Sequence, residues 1–300
     1  MAIDTETTRF LLESLQQGVS FKKCVTLGRQ HYLPSNRESR ALLTRWGLKP
    51  DAYPKLMEGE YPRYSEAFWE VLGAKELDTM DASSFEGATL LHDLNQPIPD
   101  RLRQAYDTVC DAGTLEHVFN FPMAIRNCME MVKLGGHFFA FTTANNYFGH
   151  GFYQFSPELF FRVLSPKNGF RVERMVAVEY GPRRRWFEVS DPEAVRARVT
   201  LVNNFPLLIF LRAKKVAEVP VLLEAPQQSD YFEVWNQYSA DPEQFKSQVA
   251  IRLSRSIQKF KRGVLETVPG LARMIEAFMF SSWNKNFDFR NRRSFNRIKK

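Results

Sequence analysis

Hydrophobic positions along the chain switch between two periods. Apolar or alternating runs at 23–27, 76–81, 88–92, 106–111, 137–142, 170–179 and 206–211 predict strands. Between them, helical spacing predicts helices over 8–17, 37–46, 64–72, 115–132 and 157–164, several closed by a glycine. Ser156 and Pro157 mark one helix start as an N-cap followed by a first-turn proline. Strands alternating with helices predict βαβ units and a largely parallel sheet. The run at 137–142 is apolar throughout, as expected of a strand buried on both faces. The last two strands, 170–179 and 206–211, lack a full crossover helix between them and are expected to pair antiparallel as an edge hairpin.

Beyond 215 the pattern changes. Residues 216–228 contain Pro and Gln and read as a linker. Residues 243–265 then predict a long amphipathic helix, with Phe245, Val249, Leu253, Ile257, Phe260 and Val264 on one stripe and most of its bases off it. The expected organisation is an α/β domain at 1–215, a linker at 216–228 and a helical C-terminal extension with a basic tail at 229–300. The basic helix face reads either as a solvated surface or as one for peripheral contact with a membrane or polyanion.

Composition narrows this little: 300 residues, 44% hydrophobic and 25% charged, is an ordinary globular chain. Where the net charge of +7 sits matters more. Lys285, Arg290, Arg292, Arg293, Arg297, Lys299 and Lys300 stand against Asp288 alone in the last twenty residues. A basic surface on the α/β domain is therefore not implied. The tail interleaves Trp283, Phe287, Phe289 and Phe295 with these bases. It could stack on single-stranded nucleic acid, but docking of its aromatics on the domain is the simpler expectation. Cys24, Cys110 and Cys128 match no zinc or CxxC spacing and read as buried free thiols. The first residues show no signal peptide and no run is apolar enough to span a bilayer, so a cytoplasmic protein is expected.

In an open parallel sheet, ligands bind outside the carboxyl ends of the strands. The residues there are Gly28 and Arg29, Asp81 and Ala82, Asp93 and Leu94, Asp111 to Thr114, and Thr143 to Asn146. An acid ending the second strand can accept from both hydroxyls of a ribose. An acid ending the third can accept from an exocyclic amine. Asp81 and Asp93 stand at those positions; alone, each also reads as a helix-capping or turn aspartate.

Two runs now carry a resemblance. DTVCDAGTLEHV over 107–118 resembles the fourth-strand motif of class I S-adenosylmethionine-dependent methyltransferases, in which a D-x-V strand leads into a Leu-Glu-His-Val turn. KLGGH over 133–137 is similar to that family's "LKPGG" approach to the fifth strand. The order holds over roughly 23–212. The resemblance implies a doubly wound, mostly parallel seven-stranded sheet, Rossmann-like and of the methyltransferase type, with a reversed last strand. It implies S-adenosylmethionine across the strand ends, held by Gly28, Arg29, Asp81, Ala82, Asp93, Leu94, Asp111 and Gly113, with adenosine on the Asp81 and Asp93 side.

One loop departs from the family. An acid followed by G-x-G-x-G is expected after the first strand; this chain reads VTLGRQHYL over 25–33, and only Gly28 remains. Either the loop takes another path and Arg29 or Gln30 meets the cofactor carboxylate, or cofactor binding has been lost. The reaction itself asks mainly for alignment and desolvation, with a base needed only for a poorly nucleophilic oxygen. His117 and His150 are the candidate bases, each also readable as a structural histidine. Asn145, Tyr153 and Gln154 are candidate acceptor-binding residues. No paired His, Asp or Glu spacing predicts a metal. Two functions follow: methyl transfer to an oxygen or nitrogen of a small-molecule or saccharide-type acceptor, or a non-catalytic binding protein that keeps the fold. The run DAGT at 111–114, where base-modifying members carry an (N/D)PPY motif, argues against a nucleic-acid acceptor.

Overall fold

The computed structural model describes residues 2–59, 63–231 and 288–298, with isolated positions between 235 and 286. The predicted helix at 243–265 lies outside the described residues.

A nine-stranded sheet organises the chain. Its strands are β1 (Lys23–Leu27), β2 (Glu76–Asp81), β3 (Leu90–Leu91), β4 (Tyr106–Asp111), β5 (Val132–Thr143), β6 (Phe170–Glu179), β7 (Arg185–Val189), β8 (Leu207–Lys215) and β9 (Phe295–Ile298). Their order across the sheet is β9-β7-β6-β8-β5-β4-β1-β2-β3. Neighbours from β3 to β5 run parallel, whereas every pairing from β5 to β9 is antiparallel. The expectation of a mostly parallel sheet is thus corrected to a mixed one. The seven strands predicted from the sequence, β1 to β6 and β8, do include a reversed last strand. That strand, β8, is not in an edge hairpin: it is inserted between β5 and β6, pairing Phe210 with Phe141 on one side and Val176 on the other. β7 and β9 extend the sheet beyond the predicted set. The charged composition of RRRWFEV over 183–189 hid β7, which buries Trp186, Phe187 and Val189.

Alternation along β5 shows how both faces fill. Phe138 and Ala140 point to a core shared with helix α5 (Phe121–Met131) and helix α6 (Pro157–Val163). Phe139 and Phe141 point to the opposite core. There, helix α1 (Thr5–Gln16) inserts Phe10 edge-on against Phe139, Phe141 and Phe210, with ring centroids 5.6–6.2 Å apart. Helices α2 (Asn36–Arg45), α3 (Pro54–Met57) and α4 (Glu66–Val71) complete that layer. Helices on both faces make the domain doubly wound. Ser35 and Glu38 form a reciprocal capping box at the start of α2. The predicted helix at 115–132 breaks in two. Leu115–His117 is a single tight turn, and α5 starts at Phe121 behind the Asn120 cap with Pro122 in its first turn. A proline there lacks an N–H and fits only near a helix start.

The aspartate that opens the D-x-V motif ties three strands together. Asp107 accepts from the Lys23 N–H at 3.0 Å and the Ser20 hydroxyl at 3.2 Å, and pairs with Lys133 at 2.5 Å. Gly136 passes so close that a Cβ there would lie 2.7 Å from the Asp107 carbonyl oxygen, which explains a glycine at the irregular start of β5, where its register against β4 shifts. Burial opposes ionisation of Asp107, but Lys133, the Lys23 N–H and Ser20 outweigh it and hold the carboxyl below its ordinary range. A depressed folded-state value adds stability above the unfolded value, lost as pH falls through the folded one. Asp107→Asn is therefore expected to cost about 1–3 kcal/mol at pH 7, with the gap to wild type narrowing below about pH 4. Urea unfolding at the two pH values measures both.

Candidate active site at the carboxyl edge of the sheet

The parallel strands β1 to β5 bring their carboxyl ends to one edge, where hydrogen bonds lock them together. Gly28 N–H donates to the Met80 carbonyl at 2.6 Å, and the Thr114 hydroxyl donates to the Leu27 carbonyl at 2.7 Å. After Gly28 the chain does not fold back as a glycine-rich loop. It leaves the edge and joins a second, small sheet, in which His31–Tyr32 pairs parallel with Ala2–Ile3 and antiparallel with Arg63–Tyr64. Residues 25–33 thus take a path other than that of a glycine-rich loop.

Arg29 crosses from β1 toward the loop after β2. Its Nε donates to Glu66 at 2.6 Å, Nη1 donates to the Glu86 carbonyl at 3.0 Å, and the guanidinium lies 3.8 Å from the Tyr64 ring centroid. Nη2 has no hydrogen-bond partner among the described residues. Gln30 is buried, its amide donating to the Leu27 carbonyl.

On the far side, Asp81 ends β2 and Asp93 follows β3. Each uses one oxygen, Oδ1, to accept a backbone N–H two residues on, from Ser83 and Asn95 respectively. These are the turn interactions that aspartates make by default. Each Oδ2 has no partner among the described residues. Asp93 is exposed, and Asn95 holds its carboxyl below the ordinary range through backbone and amide hydrogen bonds. Ala82 is exposed beside Asp81, whereas Leu94 is buried beneath Asp93.

The centre of the edge is built on two buried acids. Asp111 ends β4, fully buried, and its Oδ1 accepts from the N–H groups of Thr114 and Leu115 at 2.8 and 3.2 Å. Its Oδ2 is buried without a hydrogen-bond partner among the described residues. Gly113, at φ +93°, makes the turn that permits this. Burial, and next the charge of Glu116, push the Asp111 carboxyl well above its usual range despite those hydrogen bonds. Glu116 is equally buried; its Oε2 accepts from the Thr142 hydroxyl at 2.9 Å and its Oε1 lies 3.8 Å from His150 Nε2. The loop after β5 closes onto the same residue, with the Phe152 and Tyr153 N–H groups both donating to the Glu116 carbonyl.

The sequence-predicted bases thus meet. His117, on the tight turn, and His150, on the loop, have ring centroids 4.9 Å apart. Glu116, which the sequence did not single out, brings a carboxylate oxygen within 4.8 Å of a ring nitrogen of each; its place in the Leu-Glu-His-Val turn was the available signal. The three acceptor candidates separate. Asn145 and Gln154 line one cavity of about 230 Å³ with Phe155, Leu201, Leu207 and Phe295. Their amides also order the loops: Asn145 donates to the Leu201 carbonyl, and Gln154 accepts from the Tyr147 N–H. Tyr153 instead donates to the Phe119 carbonyl at 2.6 Å.

A reversed strand inserted beside β5 and helices on both faces make this a doubly wound α/β fold, as the sequence resemblance implied. No protein-family model matches the sequence, and no curated protein matches it. Among solved structures, the chain is similar to a Bacillus halodurans protein provisionally assigned as a methyltransferase (TM-score 0.38, 11% identity, 69% of this chain and 99% of that one). It is also similar to geranyl diphosphate methyltransferase in complex with SAM (TM-score 0.37, 9% identity, 71% and 85%). A third is the branched-chain polyamine synthase of Thermus thermophilus (TM-score 0.36, 12% identity, 75% and 60%).

The Asp111 environment has a measurable consequence. A carboxyl with a raised folded-state value binds its proton more tightly folded than unfolded, so its contribution to stability declines as pH rises from the unfolded value toward the folded one. Asp111→Asn keeps an oxygen for Thr114 and Leu115 and removes the buried charge. The variant is expected to gain stability relative to wild type between pH 5 and pH 8, read as the difference in Tm at each pH.

Proposed function

We propose that this protein binds S-adenosylmethionine along the carboxyl edge of the sheet and directs methyl transfer to an oxygen or nitrogen of a small-molecule or saccharide-type acceptor. The observation that carries this reading is a pair of oxygens without a partner among the described residues, Asp81 Oδ2 at the end of β2 and Asp93 Oδ2 just after the adjacent parallel strand β3. The first suits ribose hydroxyls and the second an exocyclic amine. At the other end, Arg29 Nη2 suits the amino-acid carboxylate of the cofactor, with Gly28, Asp111 and Gly113 forming the floor. The cofactor supplies an already activated methyl group, which leaves the chain to bind, orient and exclude water.

His117 and His150 flank the groove's centre, and an imidazole there is the kind of base that takes a proton from an acceptor hydroxyl. Exposed Phe119 follows His117 by two residues, and exposed Phe148 and Phe152 lie two residues to either side of His150. That setting favours an acceptor pairing a polar reacting group with an apolar body.

The non-catalytic alternative rests on Arg29, whose contacts to Glu66 and Glu86 cross the place where a glycine-rich loop leaves room. Calorimetric titration with S-adenosylmethionine and S-adenosylhomocysteine separates the readings. The methyltransferase reading expects saturable binding of both, weakened about tenfold or more by Asp81→Ala, Asp93→Ala and Arg29→Ala, about 1.4 kcal/mol or more in each case. A folded wild-type protein that binds neither compound would leave the scaffold reading.

A further inference from the structure

The site described above holds a group of ligating atoms that methyl transfer from a sulfonium does not require. Glu116, His117 and His150 each present one ligand atom, and the three atoms lie within 4.8 Å of one another. We propose that these residues form a binding site for a divalent transition metal ion of the zinc class. This inference stands on their geometry and does not depend on cofactor binding; in the metal-bound form the two histidines act as ligands in place of bases.

Two imidazoles and one carboxylate are a ligand set that holds such ions with a coordination position left open. With metal–ligand distances of about 2.0–2.1 Å, tetrahedral neighbours sit roughly 3.4 Å apart. The observed spread therefore closes by shifts of about 1 Å. His117 and His150 can make those shifts, because both side chains are exposed on a turn and a loop. Glu116 need not move: Thr142 donates to Oε2 and leaves Oε1 facing His150. A hydroxyl fixing the distal oxygen of a ligating carboxylate is a common outer partner of a metal site.

The backbone keeps the two halves in register. Phe152 and Tyr153 donate to the Glu116 carbonyl, and the His150 N–H donates to the Tyr147 carbonyl. Gly151 sits at φ +69°, where a Cβ would fall 2.7 Å from the Glu116 carbonyl oxygen. Only a glycine lets the loop approach the turn this closely.

A second observation points the same way. Glu116 and Asp111 are buried together, and among the described residues Asp111 has no ion-pair partner while Glu116 has only His150. Asp111 Oδ2 also lacks a hydrogen-bond partner among the described residues. Buried acids of like charge are costly without a cation. A dication on Glu116 offsets both, and its open position accepts an oxygen ligand, either water or an acceptor hydroxyl.

The test uses the full-length protein after treatment with chelator, titrated with Co²⁺ and followed by visible absorption, with Zn²⁺ competition by calorimetry. One Co²⁺ per chain is expected, with the intense bands of a four- or five-coordinate site, displaced by Zn²⁺. His117→Ala and His150→Ala should each weaken binding at least tenfold, and Thr142→Val by about tenfold. Circular dichroism confirms that each variant is folded. Absence of saturable one-to-one binding by the wild type overturns the proposal. So does binding that persists unchanged in the folded His117→Ala, His150→Ala double variant. Neither result bears on whether S-adenosylmethionine binds.

Discussion

Two carboxylates buried five residues apart, at the end of a central strand, constrain the rest of this edge. Like charges in a poorly polarisable interior repel far more strongly than at a surface. Fixed donors have to offset them, and here these come from the backbone of the turn at 114–115 and from Thr142 on the neighbouring strand. The turn cannot relax without uncovering Asp111, and β5 cannot shift register without removing Thr142 from Glu116. The loop after β5 is held by the same residue, since two of its N–H groups use the Glu116 carbonyl. One glutamate thus joins turn, strand and loop, and both histidines inherit their positions from it.

The sheet supplies the rigidity that this arrangement requires. Inserting a reversed strand between β5 and β6 gives β5 hydrogen-bonded neighbours on both sides. Aromatic side chains then fill both faces, as with Phe138 and Phe139 pointing to separate cores. Buried strands of this kind keep their register, because a slip of one residue would exchange the two faces. The groove is therefore fixed at its centre and adjustable at its rim. Arg29 and the loops after β2 and β3 are held there by partly exposed contacts, which contribute little each.

Strand positions were legible wherever a run had to be buried. β1, β2, β4 and β6 begin and end where periodicity placed them, and the Asp107 motif and KLGGH run marked the centre of the sheet. Three features were not legible, each for a physical reason. The strand at 185–189 carries Arg185 and Glu188 because both pair across to neighbouring strands, Arg185 with the buried Glu179 and Glu188 with Arg174. The helix at 115–132 is interrupted by Pro122, and apolar spacing alone does not register a missing N–H. The insertion of β8 is a non-local pairing that no local pattern encodes. For the site, His117 and His150 stood out as residue types, but Glu116 looked like one more charged residue in a turn. Its meaning comes from a loop thirty-odd positions later. Asn145, Tyr153 and Gln154 were grouped by proximity in sequence, yet the loop's curvature sends Tyr153 to the Phe119 carbonyl and the other two to a cavity.

The strand at 295–298 bears on how the molecule is assembled. It pairs with β7 in a register that sets Phe295 opposite Val189, and Phe289 stacks on Phe187 at 3.8 Å. Its partner lies more than a hundred positions earlier in the chain. During synthesis, residues 185–189 must wait for those at 295–298 before their outward ladder is satisfied. An open ladder with aromatic neighbours is a template for pairing with other chains. The order in which the segments emerge thus leaves an interval of exposure to self-association, and docking of the tail ends it.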